Sequence, residues 1–179
     1  MTNDEWKLAG QAKNGDTHAF AKLYQRYYEP LYRFALCYIR NAEMAEDAVM
    51  NSVLKAYEKI GDLRKNTAFK SWLFQITANE CRRMLLKSPL YLEDVDWIEP
   101  QAEEPGYLTL EIRELLNSLS ETERLVVTLS VFGGYNSQEL ATILHKRPGS
   151  VRSIKSRAMA ALREKANYQT NRKDVNHYE

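Results

Sequence analysis

Residues 88–107 constrain the fold more than any other stretch, because they interrupt an otherwise nearly continuous helical periodicity. The stretch contains three prolines and six acidic residues, and its apolar positions follow no helical period. Helical apolar stripes resume on both sides of it, and no segment alternates as a half-buried strand would. We therefore predict an all-α chain of two small helical domains joined by an acidic linker. The predicted boundaries are residues 1–87 for the first domain, 88–107 for the linker, 108–168 for the second domain and 169–179 for a flexible tail.

The acidic linker lowers the net charge of a chain whose two predicted domains are basic. The chain of 179 residues has 25 Lys and Arg against 24 Asp and Glu, a formal net charge of only +1. Six of those acids lie in the linker, which has no Lys or Arg. The rest of the chain therefore contains 18 acidic residues and all 25 cationic ones. The near-neutral total argues against a non-specific, histone-like binder, whereas the segregation leaves two basic blocks on either side of an acidic connector.

The basic segment 136–166 is expected to form two helices joined by a short turn. Asn136 is expected to begin a capping box, and Ser150 is expected to be the N-cap of the second helix. Val151 and Ala158 belong to the apolar face of that second helix, and cations and hydroxyls cover the rest. Such a face suits either the major groove of DNA or plain solvation. The candidate DNA-contacting residues are Arg152, Ser153, Lys155, Ser156 and Arg157.

The first domain is expected to contain four helices with broad apolar faces. One of them, over residues 42–60, carries a second apolar strip of Met50, Leu54 and Tyr57 beside its core stripe. That strip either packs within the bundle, which the pattern alone favours, or forms a partner-binding edge. Tyrosines at helical spacing in residues 18–40 are expected to belong to the core rather than to a base-stacking platform.

A second candidate nucleic-acid surface lies at the loop of residues 61–68 and on the helix that follows it. The loop contains Arg64 and Lys65, and amide and guanidinium side chains share one face of the helix. An ordinary solvated face explains the same pattern equally well. The helical residues concerned are Gln75, Asn79, Arg82 and Arg83.

Nothing in the sequence resembles an enzyme site. His18, His145 and His177 have no ligand spacing, and no phosphate loop, nucleophile elbow or zinc motif occurs. We interpret Cys37 and Cys81 as small buried apolar side chains rather than as redox-active or metal-binding groups. We expect no cofactor and no metal. No signal peptide or membrane-spanning run is evident, which predicts a cytoplasmic protein.

Taken together, the order and spacing of short motifs resemble the extracytoplasmic-function (ECF) sigma factors of bacteria, which keep only sigma regions 2 and 4. In the first domain the motifs are Asp16-x-x-Ala19-Phe20, Ala45-Glu46-Asp47, Lys55-Ala56-Tyr57 and Phe69-x-x-Trp72-Leu73 with Ile76 and Asn79. In the second domain they are Leu116-x-x-Leu119-Ser120-x-x-Glu123-Arg124, Gln138-Glu139-Leu140-Ala141 and Gly149-Ser150-Val151-Arg152.

The resemblance implies a division of labour between three surfaces. The polymerase clamp would be contacted by Asp47, Met50, Asn51 and Leu54. The minus-10 element, including an unpaired base, would be held by Leu63, Arg64, Lys65, Asn79, Arg82 and Arg83. The minus-35 element would be read by Arg152, Ser153, Lys155, Ser156 and Arg157. The implied partners are core RNA polymerase, promoter DNA and an anti-sigma factor, and the acidic linker would mimic RNA in a polymerase channel.

The sequence also departs from the family pattern at three places. Met50 and Asn51 stand where Gln and an acid are usual, Leu63 stands where an aromatic residue is frequent, and Lys146 stands where an apolar residue is usual. An alternative interpretation is therefore a sigma-like regulator that binds DNA or polymerase without supporting initiation. A helical interaction scaffold with an incidental basic helix is a third.

Overall fold

The computed structural model describes residues 3–87 and 110–175, and every regular element within these ranges is a helix. The chain divides into two compact units, residues 1–100 and 101–179. The prediction of an all-α chain with two helical domains is confirmed. The predicted acidic linker, residues 88–107, lies outside the described residues.

The first unit contains four helices: α1 (Asn3–Lys13), α2 (Thr17–Ile39), α3 (Ala42–Lys59) and α4 (Phe69–Lys87). Two short polar caps set the starts of the middle helices, because Asp16 accepts a hydrogen bond from the Ala19 amide and Asn41 accepts one from the Met44 amide. Between α2 and α3 the chain turns at Arg40, whose left-handed backbone ends α2.

The core of the first unit is aromatic and surrounds α2. Phe34 and Tyr38 are fully buried, and the Phe34 ring lies 5.8 Å from that of Phe74 in α4. The expectation that the tyrosines are core holds for Tyr27 and Tyr38, whereas Tyr24, Tyr28 and Tyr32 are only half-buried.

Both cysteines behave as the sequence predicts, since Cys37 and Cys81 are buried and free of disulfides. Burial raises the pKa of the Cys37 thiol to about 12 and raises that of Cys81 as well.

The second unit contains α5 (Leu110–Asn117), α6 (Glu121–Thr128), a π-helical turn over Leu129–Gly133, α7 (Ser137–Leu144) and α8 (Pro148–Val175). Its core is aliphatic, with Val126, Leu129, Leu140 and Val151 all fully buried. Helix α8 continues to Val175, beyond the predicted end of the domain at residue 168, and residues 176–179 lie outside the described ranges.

Candidate functional surfaces

An apolar strip on α3 is exposed rather than packed. Met50, Leu54 and Tyr57 are 54%, 57% and 49% exposed, at spacings of four and three residues that place them on one face of the helix. The favoured prediction that this strip packs within the bundle is therefore wrong. Small side chains on the opposite face fill the core, so α3 packs in the bundle mainly through that face. The buried residues of α3 are Ala45, Ala48, Val49, Ser52 and Ala56.

Polar residues border the α3 strip on the same face. Asp47 is exposed, and Asn51 is half-buried beside Leu54. The Tyr57 ring meets Phe20 of α2 edge to face at 5.1 Å, so one side of the strip is fixed by packing although half of Tyr57 remains accessible. The four predicted polymerase-contacting residues thus lie on one side of one helix, around an accessible apolar centre.

The predicted base-capturing loop is built from two 3₁₀ turns, Ile60–Asp62 and Asn66–Ala68. Between them Leu63 is only 2% exposed, and its amide donates to the Ile60 carbonyl at 3.1 Å. A side chain this deeply buried is not available to a nucleotide, so we omit Leu63 from the candidate DNA surface. Arg64 and Lys65, which follow it, are both exposed.

The polar face of α4 is only partly as expected. Gln75 and Asn79 are exposed, and Arg82 is half-buried on the same side. Arg83 instead donates twice to Oε2 of Glu80, from Nε at 3.0 Å and from Nη2 at 2.7 Å. The structure therefore ties Arg83 to a neighbouring carboxylate, which the sequence reasoning did not anticipate.

Glu80 is the buried centre of an ion-pair network between two helices. It is 4% exposed, and besides Arg83 it accepts a hydrogen bond from the amine of Lys55 in α3. Burial alone would raise the pKa of the Glu80 carboxyl, but the hydrogen bonds and charges of Lys55 and Arg83 outweigh it and hold that pKa below its usual range. The three-residue spacing of Glu80 and Arg83 was the one local signal in the sequence, whereas the Lys55 contact depends on the packing of α3 against α4.

In the second unit, α7 and α8 form a helix-turn-helix. The predicted capping box is present at α7, where Asn136 accepts from the amides of Gln138 and Glu139, and the Glu139 carboxylate accepts from the Asn136 amide. Helix α7 ends at His145, whose φ of 51° is left-handed.

Helix α8 starts earlier than predicted. The Val151 amide donates to the Arg147 carbonyl, which makes Pro148 the first helical residue and puts Ser150 inside the first turn. The expectation that Ser150 is the N-cap is therefore wrong. Proline suits this position because its missing N–H would have no intrahelical partner there.

Opposite faces of α8 differ in burial. Val151 and Ala158 are fully buried against the rest of the unit, whereas the polar side chains between them turn outward. Arg152, Ser153, Ser156 and Arg157 are exposed, and Lys155 is half-buried. All five predicted minus-35 residues therefore lie off the buried stripe of α8 and share one helix.

Two further observations bear on other kinds of site. Within residues 3–87 and 110–175, no three His, Cys, Asp or Glu side chains converge as ligands of a metal ion would. None of the helices in the same part of the chain combines the length and apolarity of a membrane span.

Comparison with known proteins identifies both units. The sigma-70 region 2 family matches residues 23–88, and the sigma-70 region 4 family matches residues 109–162. The ECF RNA polymerase sigma factor SigM of Mycobacterium tuberculosis is 30% identical over 154 residues, covering 83% of this chain and 77% of its own length. The RNA polymerase sigma-H factor of Pseudomonas aeruginosa is 26% identical over 174 residues, covering 87% and 90% respectively.

A solved structure gives the same assignment. The sigma factor RpoE of Bartonella quintana, determined in complex with the anti-sigma factor NepR, superposes with a TM-score of 0.64 at 27% identity. The match covers 82% of this chain and 97% of that one. The chain belongs to the ECF sigma factors of the sigma-70 family.

Proposed function

We propose that this protein binds core RNA polymerase through α3, holds the minus-10 element through the loop 61–68 and α4, and reads the minus-35 element through α8. The polymerase surface consists of Asp47, Met50, Asn51 and Leu54. The minus-10 surface consists of Arg64, Lys65, Asn79 and Arg82, with Arg83 held back by Glu80. The minus-35 surface consists of Arg152, Ser153, Lys155, Ser156 and Arg157.

The exposed apolar strip on α3 is the observation that carries this proposal. A basic helix-turn-helix alone suits any DNA-binding protein, so α8 does not distinguish an initiation factor from a repressor. Met50 and Leu54 are each more than half exposed, and their neighbours Asp47 and Asn51 supply a polar margin. An accessible apolar centre with a polar rim is the usual anatomy of a protein-binding surface.

The two DNA surfaces differ in the chemistry that they offer. On α8 the guanidinium groups of Arg152 and Arg157 and the Ser156 hydroxyl lie on the exposed side of a helix whose other side is buried, as reading base edges in a major groove requires. The Ser153 hydroxyl donates to the Gly149 carbonyl at 3.1 Å and can still accept a hydrogen bond. The first unit offers cations on a loop and amides on a helix, which suit phosphates and bases of an opened strand.

The proposed role determines what this chain contributes to initiation, where it acts and what inhibits it. The polymerase makes and breaks all bonds, so the proposed contribution of this chain is binding energy for promoter recognition and strand opening. The cytoplasm is the proposed site of action because the polymerase acts on the chromosome. An anti-sigma factor is the proposed inhibitory partner, by extension from the RpoE complex.

Runoff transcription with purified core polymerase tests the proposal. The template is first obtained by selecting bound genomic fragments with the reconstituted holoenzyme. A promoter-specific transcript is expected. Polymerase binding without a transcript would instead support a sigma-like regulator, which the unusual Met50 and Asn51 also fit. Absence of both binding and transcript would support a helical scaffold and contradict the proposal.

A further inference from the structure

Helix α1 lies against the loop that we assign to minus-10 DNA. It precedes residues 23–88, which match sigma region 2, and none of the three proposed surfaces includes it. Leu8, Ala9 and Ala12 bury one face of α1. Two polar contacts fix its start to α2, because Arg26 pairs with Asp4 at 2.5 Å and Tyr27 shares a hydrogen bond with Glu5. The first part of α1 is thus anchored to the bundle, and its last turns are left to contact the loop.

Two contacts connect the last turns of α1 to the loop. The Lys13 amine donates to the carbonyl of Leu63 at 2.7 Å, across a sequence separation of fifty residues. One turn earlier, Gly10 faces Asn66 so closely that a β-carbon at Gly10 would lie 2.7 Å from Asn66 Nδ2. Helix α1 therefore contacts the loop just after its first 3₁₀ turn and approaches the second, and a side chain at Gly10 would displace the Asn66 side chain.

The contacted residues flank the exposed cations. Leu63 is held by burial and by Lys13, the side chain of Asn66 lies close to Gly10, and only Arg64 and Lys65 lie between these two residues. Because one end of this four-residue stretch is hydrogen-bonded to α1 and the other lies close against it, the two cations have less backbone freedom to lose when they bind.

We propose that α1 is a brace that holds the loop 61–68 in its DNA-binding conformation, with Lys13 and Gly10 as positioning residues for Arg64 and Lys65. The inference rests on the proposed function of the loop. Neither residue needs to touch DNA, because each acts on the loop backbone or on Asn66. Preorganised cations capture an opened strand with a smaller entropic cost than mobile ones.

The test uses Lys13→Met, which keeps the apolar stem and removes the donor, and Lys13→Arg, which restores a cationic donor. Lys7→Met is the matched control, because Lys7 is an exposed lysine on the same helix. Gly10→Leu supplies an independent perturbation, since it favours the helix while displacing Asn66. Thermal unfolding of each variant shows whether the fold is retained.

Two measurements are made on these variants. Hydrogen exchange on the free protein follows the amides of Leu63 and Ala68, which are bonded within the loop. Promoter opening by the holoenzyme is followed with a fluorescent base in the minus-10 element of a selected promoter. Lys13→Met and Gly10→Leu should both speed exchange in the loop and lower promoter opening. For Lys13→Met the loss in opening should be about three- to tenfold, as expected for loss of a partly exposed charged hydrogen bond. Lys7→Met should match the wild type, and Lys13→Arg should recover most of the loss.

The outcomes separate the brace from the proposed function of the loop. Unchanged exchange in both Lys13→Met and Gly10→Leu would overturn the brace. Faster exchange with normal promoter opening would also overturn it, provided that Arg64→Ala with Lys65→Ala impairs opening. If that double variant opens promoters normally, the assignment of the loop to minus-10 DNA fails, and the inference fails with it.

Discussion

Replacing Glu80 with Gln tests the buried ion-pair network of the first unit. The substitution keeps the shape of the side chain but removes the charge that accepts hydrogen bonds from Lys55 and Arg83. Hydrogen bonds to charged groups contribute about 1.5–3 kcal/mol each. The two cationic side chains are 43% and 42% exposed, so water replaces part of the loss and we expect about 1–3 kcal/mol in total. For a unit of this size that corresponds to a fall in Tm of roughly 4–24 °C.

The pH dependence of this effect has a defined sign. The pKa of Glu80 in the folded protein lies below its value in the unfolded chain, which is about 4.3. Its stabilising contribution is therefore fully present above about pH 4.3 and is lost as the pH falls through the folded pKa. The difference in Tm between wild type and Glu80→Gln should be constant from pH 7 to pH 5 and should shrink on further acidification.

Scanning calorimetry of the full chain measures both effects. Glu29→Gln is the matched control, because Glu29 pairs with Arg33 at the surface, with both side chains substantially exposed. Removing such a surface pair should cost only about 0–1 kcal/mol. The reasoning is refuted if Glu80→Gln is as stable as the wild type at pH 7, or if its deficit persists unchanged at low pH.

Three other substitutions address the remaining features. Leu54→Asp should weaken assembly with core polymerase about five- to thirtyfold without lowering Tm, since Leu54 is exposed and a central apolar contact contributes about 1–2 kcal/mol; normal assembly would remove α3 from the polymerase surface. Arg152→Ala should weaken binding to a selected minus-35 duplex by about 1–3 kcal/mol and leave binding to a scrambled duplex unchanged. If the variant and the wild type bind the minus-35 duplex with equal affinity, the reading face is misplaced. Asn136→Ala should destabilise the second unit by about 1 kcal/mol in thermal unfolding through loss of the capping box, whereas Asn136→Asp should remain close to wild type.

Features set by neighbouring residues were predictable from the sequence. The capping box at Asn136 depends on Glu139, three residues away, and it is present. The five minus-35 candidates also lie off the buried stripe as expected, because the periodicity of α8 already separates its faces. Ser150 failed as an N-cap for a local reason too, since Pro148 is better suited to start the helix.

Features set by tertiary contacts were not predictable in the same way. Leu63 follows Gly61 and Asp62 in a loop, so its burial is not apparent from its neighbours in the sequence, and its carbonyl accepts a hydrogen bond from a helix fifty residues earlier. The exposure of Met50 and Leu54 could not be inferred, because a broad apolar face is compatible with both a central helix and a partner surface, and the pattern alone favoured the central helix. Glu80 has an ordinary helical position in the sequence, and only the packing of α3 against α4 gives it a second cation.

The same packing connects the two proposed interaction surfaces of the first unit. Lys55 directly follows Leu54 of the proposed polymerase surface, and Glu80 directly follows Asn79 of the proposed minus-10 surface on α4. The ion pair between Lys55 and Glu80 therefore lies one residue from each surface and resists sliding of one helix along the other. A sigma factor holds the opened strand at a fixed position relative to the polymerase. Movement of α4 relative to α3 would change the orientation of the DNA-binding side chains, so an ion pair between the two helices favours strand opening. Glu80→Gln should on this reasoning weaken promoter opening more than it weakens polymerase binding.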